Sequence, residues 1–424
     1  MGAPGPVDVH GGAGGITAAC DEIVALARAF GGVATDCLGA AWSLHGYLVD
    51  PALACSGLLD PGGYAVFEAD LLDALDGLHG LTWLGMRCGV LDGELRVAAT
   101  AYSTADHLYE KAHDEVLGLL GAPAALADAA ARLAHTASPI AAAQTAITDD
   151  PEAADTVIHA LGLPGAIYAL AAALPDGHGV ATSLGVDAGG SAALPPRRLS
   201  DVIGELGHRD EDPHHGAIDV RVLTLADGSR RVIVDVTGTK SWTPAPTADV
   251  TSLTTNGRAL VGIPTAYEQG VFAAMRQAGV RRTDPVMIVG HSQGGMVAVE
   301  AARDAAASGE FTISHVVTAG SPIGLTVGAL PRRVQVLALE NERDLVPHLD
   351  GVANPDEPNI TTVCAAHGDG TVVGDHDIEA DYVPLARDAQ ASGSISVRAF
   401  LHSARDFFRG VAVRTHAYQV TRAY

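Results

Sequence analysis

Gly290-His291-Ser292-Gln293-Gly294-Gly295 is the segment best suited to chemistry. It follows Val286-Met287-Ile288-Val289, a short, fully apolar run of the kind that forms a buried parallel strand. A helix is predicted to begin at Gly295-Met296-Val297. Strand, Gly-x-Ser-x-Gly and helix in that order set a serine on a sharp turn. Side chains two residues to either side would collide there, which accounts for the glycines. The hydroxyl then projects beyond the strand end, and the helix N-terminus offers backbone N–H groups to a developing oxyanion. A serine so placed can attack an acyl carbon. The plain alternative is a glycine-rich turn without chemistry.

A serine hydroxyl is a weak nucleophile unless a base takes its proton and an acid orients that base. The order along the chain for this arrangement is Ser, acid, His. An apolar strand is predicted over 334–339, followed by Glu340-Asn341-Glu342-Arg343-Asp344. An acid just past a strand end can reach the base. Asp344 is the predicted acid, with Glu340, Glu342 and Asp350 as rivals. His376, where a Gly-rich loop meets a predicted helix, is the predicted base, with Tyr382 packed beneath it. His367 lies nearer the strand end and is the runner-up. His348 is too close to Asp344 in sequence to face it easily. The oxyanion donors are expected at Gln293 N–H and at Thr239 N–H, with the Thr239 hydroxyl as a further donor, since Thr237-Gly238-Thr239 ends the early strand 232–236.

These residues need a sheet to hold them. Strands are predicted over 218–223, 232–236, 286–289, 313–318, 334–339 and 360–364. Helices near 265–278, 293–307, 377–387 and 400–410 alternate with them. That alternation means an α/β domain, a mostly parallel sheet with helices on both faces, over 201–424. Before it, apolar residues at helical spacing, such as Ile23, Leu26, Ala27 and Phe30, predict an all-α bundle of four to six helices over 1–174. Its breaks fall at Pro51, Pro61-Gly62-Gly63 and Gly121-Ala122-Pro123. Residues 1–15 read as disordered, and 175–200, rich in Gly and Pro, as a linker. The Leu- and Ala-rich helices would offer an apolar wall for acyl chains.

Composition excludes several classes. The net charge of -24 opposes binding to nucleic acid and to anionic membrane surfaces. The longest apolar stretch, 160–174, is too short and too broken to cross a membrane, and no signal peptide is evident. Cys20, Cys37, Cys55 and Cys88 either form two bridges in an exported protein or serve as small buried hydrophobes. No Cys/His spacing points to a metal, and the chemistry above calls for no cofactor. The chain has only two lysines, Lys111 and Lys240, beside many arginines. That bias fits a GC-rich, actinobacterial type of genome.

Val236-Thr237-Gly238-Thr239, the Gly290–Gly295 segment, Thr318-Ala319-Gly320-Ser321-Pro322-Ile323-Gly324 and Asn341-Glu342-Arg343-Asp344-Leu345-Val346-Pro347 together resemble bacterial lipases and esterases of the α/β-hydrolase superfamily. The resemblance covers about residues 215–400. It implies the α/β-hydrolase fold and hydrolysis of a small-molecule or lipid ester. It assigns Ser292, Asp344 and His376 as the triad and Thr239 and Gln293 as the oxyanion hole. Val236-Thr237 stands where such lipases often have Arg or Phe before Gly-Thr. Trp83-Leu84-Gly85 between two helical segments, with Tyr102 and Asp106 after it, resembles the WXG-type helical hairpins of type VII secretion substrates. That likeness implies a secretion-machinery partner and a location either cytoplasmic or exported by such a route. It also supplies the rival expectation of an exported interaction protein that uses the hydrolase fold as scaffold.

Overall fold

The computed structural model describes residues 5–77, 79–116, 176–187, 194–241, 247–368 and 374–424. They form two compact units: Ile16–Ala112, and Met1–Gly15 together with His113–Tyr424.

The larger unit is built on a mixed nine-stranded sheet. In chain order its strands are β1 (Asp8–Gly11), β2 (His178–Asp187), β3 (Ala217–Thr224), β4 (Arg230–Val236), β5 (Pro285–His291), β6 (Thr312–Ala319), β7 (Gln335–Asn341), β8 (Ile360–Ala365) and β9 (Ala412–Ala423). Their spatial order is β1-β8-β7-β6-β5-β4-β3-β9-β2. The five strands β4 to β8 run parallel. Antiparallel strands flank them on both sides: β1 on β8, β3 on β4, β9 on β3 and β2 on β9.

Alternation along the parallel strands divides the core into two faces. Val232, Val234, Val286, Ile288, Val316 and Val336 point to one face. There they meet helices Leu253–Leu260, Ala266–Gln277 and Gln293–Ser308. Ile233, Met287, Val289, Val317 and Leu337 point to the other, toward Leu199–Asp210, Val383–Ala391 and Ile395–Ser403. The one acid in the buried middle of β4, Asp235, pairs with Arg221 on β3 at 2.7 Å, both fully buried.

The smaller unit holds the helices α1 (Ile16–His45), α2 (Pro51–Leu59) and α3 (Pro61–Asp76) and most of α4 (Leu81–Val116) among the described residues. The predicted breaks at Pro51 and Pro61 are helix starts: Asp50 and Asp60 cap them, each with proline next in line. Helices α1 and α4 run antiparallel, since Cys20 meets Ala99, Gly31 meets Asp92 and Leu38 meets Gly85. Ala27, Ala34 and Ala41 are buried at seven-residue intervals, a small-residue seam that allows close helix approach. The larger unit's helices continue this numbering: α5 (Leu199–Asp210), α6 (Leu253–Leu260), α7 (Ala266–Gln277), α8 (Gln293–Ser308), α9 (Val383–Ala391) and α10 (Ile395–Ser403).

Several expectations require correction. Residues 1–15 are not all disordered: Asp8–Gly11 is an edge strand, held further by Gly14 N–H donating to Ser396 Oγ and Ser396 Oγ donating to Gly11 O. The stretch 175–200 is not simply a linker, because His178–Asp187 pairs along β9. The helix near 400–410 starts earlier, at Ile395. Trp83-Leu84-Gly85 lies at the start of α4, within its first two turns, rather than between helices, with Trp83 edge-on to His79 and under Arg87. Thr17–Val49 is long and apolar enough by composition to cross a membrane, with mean hydropathy 1.4, so the expectation that no stretch qualifies does not hold. Ala with Val, Leu and Ile raises its mean hydropathy, and only Asp21, Glu22, Arg28 and Asp36 are charged in it. The five cysteines are free thiols. The break at Gly121-Ala122-Pro123 and the stretch 160–174 lie outside the described residues.

Candidate active site

Strand β5 delivers the chain to Ser292, and α8 leaves from Gln293. Between them Ser292 has φ 53° and ψ -123°. It is the one non-glycine residue with positive φ among the described residues. Its N–H donates to Ala319 O at 2.9 Å, tying the turn to the end of β6. The surrounding glycines are required by space. A Cβ on Gly290 would collide with Gly294 O, one on Gly294 with Val236 O, and one on Gly295 with Ser321 Oγ.

The loop after β4 lies against this turn. A Cβ on Gly238 would stand 3.1 Å from Ser292 Cβ. Each residue of the loop is pinned. Thr237 Oγ1 donates to Ala217 O at 2.9 Å, Gly238 N–H to Asp210 Oδ1 at 2.9 Å and Lys240 Nζ to Asp210 Oδ2 at 2.8 Å. The Thr239 hydroxyl bonds to the Asn256 amide at 2.9 Å. That contact corrects the expected use of the hydroxyl toward an oxyanion and leaves the Thr239 N–H for that part. The N–H groups of Thr239 and Gln293 have no acceptor among the described residues. Gln293 is buried and its side chain donates to Ser252 O at 2.9 Å, so its backbone N–H is fixed at the helix N-terminus.

Asp344 stands three residues past β7, and its N–H donates to Asn341 O at 2.9 Å. It is 1% exposed. His376 Nδ1 meets Asp344 Oδ2 at 2.5 Å. The loop before His376 is anchored by Asn341 Nδ2, which donates to Asp375 O at 2.7 Å. With Nδ1–H facing the carboxylate, the Nε2 lone pair is the one left to accept a proton. The His376 ring stacks on His291, the residue before Ser292, at 4.4 Å between centroids. The structure thus brings Asp344, His376 and the Ser292 turn together. Ser292 Oγ has no hydrogen-bond partner among the described residues, so the predicted contact with His376 Nε2 is not closed in this state. Such contacts commonly tighten only with substrate bound.

Three of the rivals are engaged elsewhere. His367 Nε2 lies 3.4 Å from Asp388 Oδ2. Glu340 accepts from Asn354, and Asp350 from Leu325 N–H and Val352 N–H. Glu342 is held in the chain by its N–H to Ala365 O. His348 sits on the short 3-10 turn Val346–Asp350.

Sequence reasoning missed three participants in this geometry. His291 is buried with both ring nitrogens unpartnered, and burial, with His376 beside it, lowers its pKa to about 4. It is therefore a neutral ring at physiological pH. Asp210, at the end of α5, fixes the Gly238 loop from 28 residues away in sequence, and no local signal marks it. Tyr382, expected only to pack, donates to Asp344. Among the described residues no group of three or more His, Cys, Asp or Glu could hold a metal ion. Comparison of the chain with protein-family models, with curated proteins and with solved structures gave no match in any of the three.

Proposed function

We propose that this chain is a serine hydrolase of the α/β-hydrolase type that cleaves carboxylic esters. The observation that carries the reading is Ser292, held at φ 53° between a buried strand and a helix N-terminus. A non-glycine residue held in a strained conformation is most often kept for use. The Asp344–His376 pair beside it supplies the base and its orienting acid.

In this reading Ser292 Oγ attacks the acyl carbon while His376 Nε2 takes its proton. Asp344 steadies the imidazolium. The N–H groups of Thr239 and Gln293 receive the oxyanion, and the dipole of α8 favours the charge. His376 returns the proton to the departing alcohol. Water, deprotonated by the same nitrogen, then attacks the acyl-enzyme and frees the acid and Ser292. Labelling with a fluorophosphonate and turnover of an ester panel test this. Labelling of the wild type but not of Ser292→Ala is the expected result. A folded wild type that neither labels nor turns over any ester defeats the proposal.

One observation favours a second reading. On the helical unit Trp42, Val49, Leu58 and Leu59 are 84%, 81%, 83% and 91% exposed. Exposed apolar residues that gather into one contiguous patch mark surfaces that meet a partner. An exported interaction protein, presenting these helices to a type VII-like secretion machinery and using the hydrolase fold as scaffold, would need that surface and not Ser292. The labelling experiment separates the two.

A further inference from the structure

Tyr382 takes no part in the proton transfers above, yet it reaches the atom that orients them. Its hydroxyl donates to Asp344 Oδ2 at 2.5 Å, the oxygen that also faces His376 Nδ1. The other oxygen, Asp344 Oδ1, accepts Val346 N–H at 2.9 Å. Tyr382 is fully buried.

The local chain is built to deliver this hydroxyl. Asp377 Oδ1 accepts Ala380 N–H at 2.7 Å, capping the turn that follows His376. The backbone then makes one π-turn, Ile378–Tyr382, before α9 begins with Pro384 in its first turn. Such a turn inserts an extra residue into a helix and rotates the side chains that follow. Space for the hydroxyl comes from Gly320, at φ +60°. A Cβ there would stand 2.6 Å from Tyr382 Oη and 3.0 Å from Asp344 Oδ2. Two segments far apart in sequence are thus shaped around one hydrogen bond.

We propose that Tyr382 is a positioning residue of the triad, whose hydroxyl fixes the Asp344 carboxylate and draws part of its charge away from His376. This rests on the hydrolase reading. A carboxylate bound at both oxygens cannot swing, so the imidazole is held in one tautomer and one orientation. Donation to the oxygen that faces His376 also weakens the field that would hold a proton on the ring. Burial, with the Asp344 carboxylate next to it, raises the phenol well above its ordinary value, so Tyr382 stays a donor. The other charged and titratable groups around this cluster are His291, whose ring lies 4.4 Å from His376 and 6.0 Å from Tyr382, with Asp210 and Lys240 beside it, and Asp375, Asp381 and Glu340.

Tyr382→Phe and a protein with 3-fluorotyrosine at position 382 test the proposal. Active sites are counted by fluorophosphonate burst, kcat and KM are taken per active site, and the His376 ring is titrated by NMR. In Tyr382→Phe, kcat should fall about tenfold with KM nearly unchanged, the loss of one hydrogen bond to a charged group. The acid limb of kcat/KM and the His376 titration should both move up by roughly half a pH unit. Fluorotyrosine keeps the shape and donates more strongly. It should restore kcat and move both midpoints down, and it decides the matter if Tyr382→Phe does not fold. Midpoints unmoved in the folded proteins overturn the proposal, because a residue that only fills space changes the number of active sites and not their titration. Should the wild type prove inactive, the hydrolase reading falls by itself, and the His376 titration still judges Tyr382.

Discussion

Ser292 carries its strain in the backbone, so the strain can be tested apart from the hydroxyl. A non-glycine residue held in a sparsely populated region costs on the order of 1–3 kcal/mol. At Ser292 the hydrogen bond to Ala319 O and the packing of β5 against α8 hold it there. Ser292→Ala keeps the Cβ and the strain. It should melt like the wild type while kcat for esters falls by roughly 10⁴–10⁶. Ser292→Gly removes the strain as well as the hydroxyl, and thermal unfolding should find it about 1 kcal/mol more stable than Ser292→Ala. Equal stability of the two would mean that the turn is not strained. Gly320 is the converse case. Gly320→Ala adds a methyl against Tyr382 Oη and Asp344 Oδ2 at positive φ. It should lose about 1–3 kcal/mol of stability and lower kcat per active site. A variant that melts and turns over as the wild type does would show that the contact yields at no cost.

At the scale of elements, α7 and α8 meet through two acids that take no part in the site. Glu300 on α8 is 2% exposed and accepts the Thr265 hydroxyl at 2.9 Å. Glu268 on α7 is 4% exposed. Burial, with Asp304 nearby, raises Glu268 to about 7, and burial, with Glu268 nearby, raises Glu300 well above the ordinary value. Each therefore binds its proton more tightly folded than unfolded. The stability they contribute is fully present below the unfolded value of 4.5 and is lost as pH rises from there to the folded values, the loss from Glu268 being complete near 7. Urea denaturation should find the wild type losing up to about 3 kcal/mol from Glu268 between those limits. Glu300→Gln should flatten the fall. A stability that rises steadily from pH 5 to pH 8 in the wild type and in Glu300→Gln alike would contradict this reading of the α7–α8 contact.

The elements also show what a sequence can disclose. β4 to β8 are read from their apolar runs because parallel strands covered on both faces are mostly apolar, and the few polar residues, such as Asp235 in β4 and His315 in β6, do not break the run. The turn at Ser292 follows from its glycines, whose need is steric. The acid and base were placed by order along the chain and by nearness to strand ends, and Asp344 and His376 do meet. By contrast β9, with Arg414, His416, Gln419 and Arg422 among its apolar residues, offers no run to find. β1 and β2 are short or Gly-interrupted edge strands whose pairing is decided by distant partners. The π-turn before α9 and the clamp of Asp210 on Gly238 are likewise tertiary facts, with no periodicity or spacing to announce them.

At the scale of the molecule, the two strands that flank the helical residues lie at opposite ends of the sheet. β1 is one edge and β2 the other, roughly 38 Å apart across eight strand spacings. A truncation at residue 174 removes β1 along with the helices, and so bares the whole length of β8. An unpaired edge of this kind invites pairing with another chain. Gly12 N–H to Glu357 O and the two bonds with Ser396 go with it. Two truncated proteins distinguish the edge from the helices: one lacking residues 1–15 and one lacking 1–174. Both should melt lower than the full chain by similar amounts and aggregate more readily on warming, read by calorimetry and light scattering. Their per-site kinetics on an ester panel then differ only by what the helical residues contribute. If the protein lacking 1–15 matches the full chain in melting and solubility while the one lacking 1–174 does not, β1 is dispensable, and the stability must be sought in the helical residues.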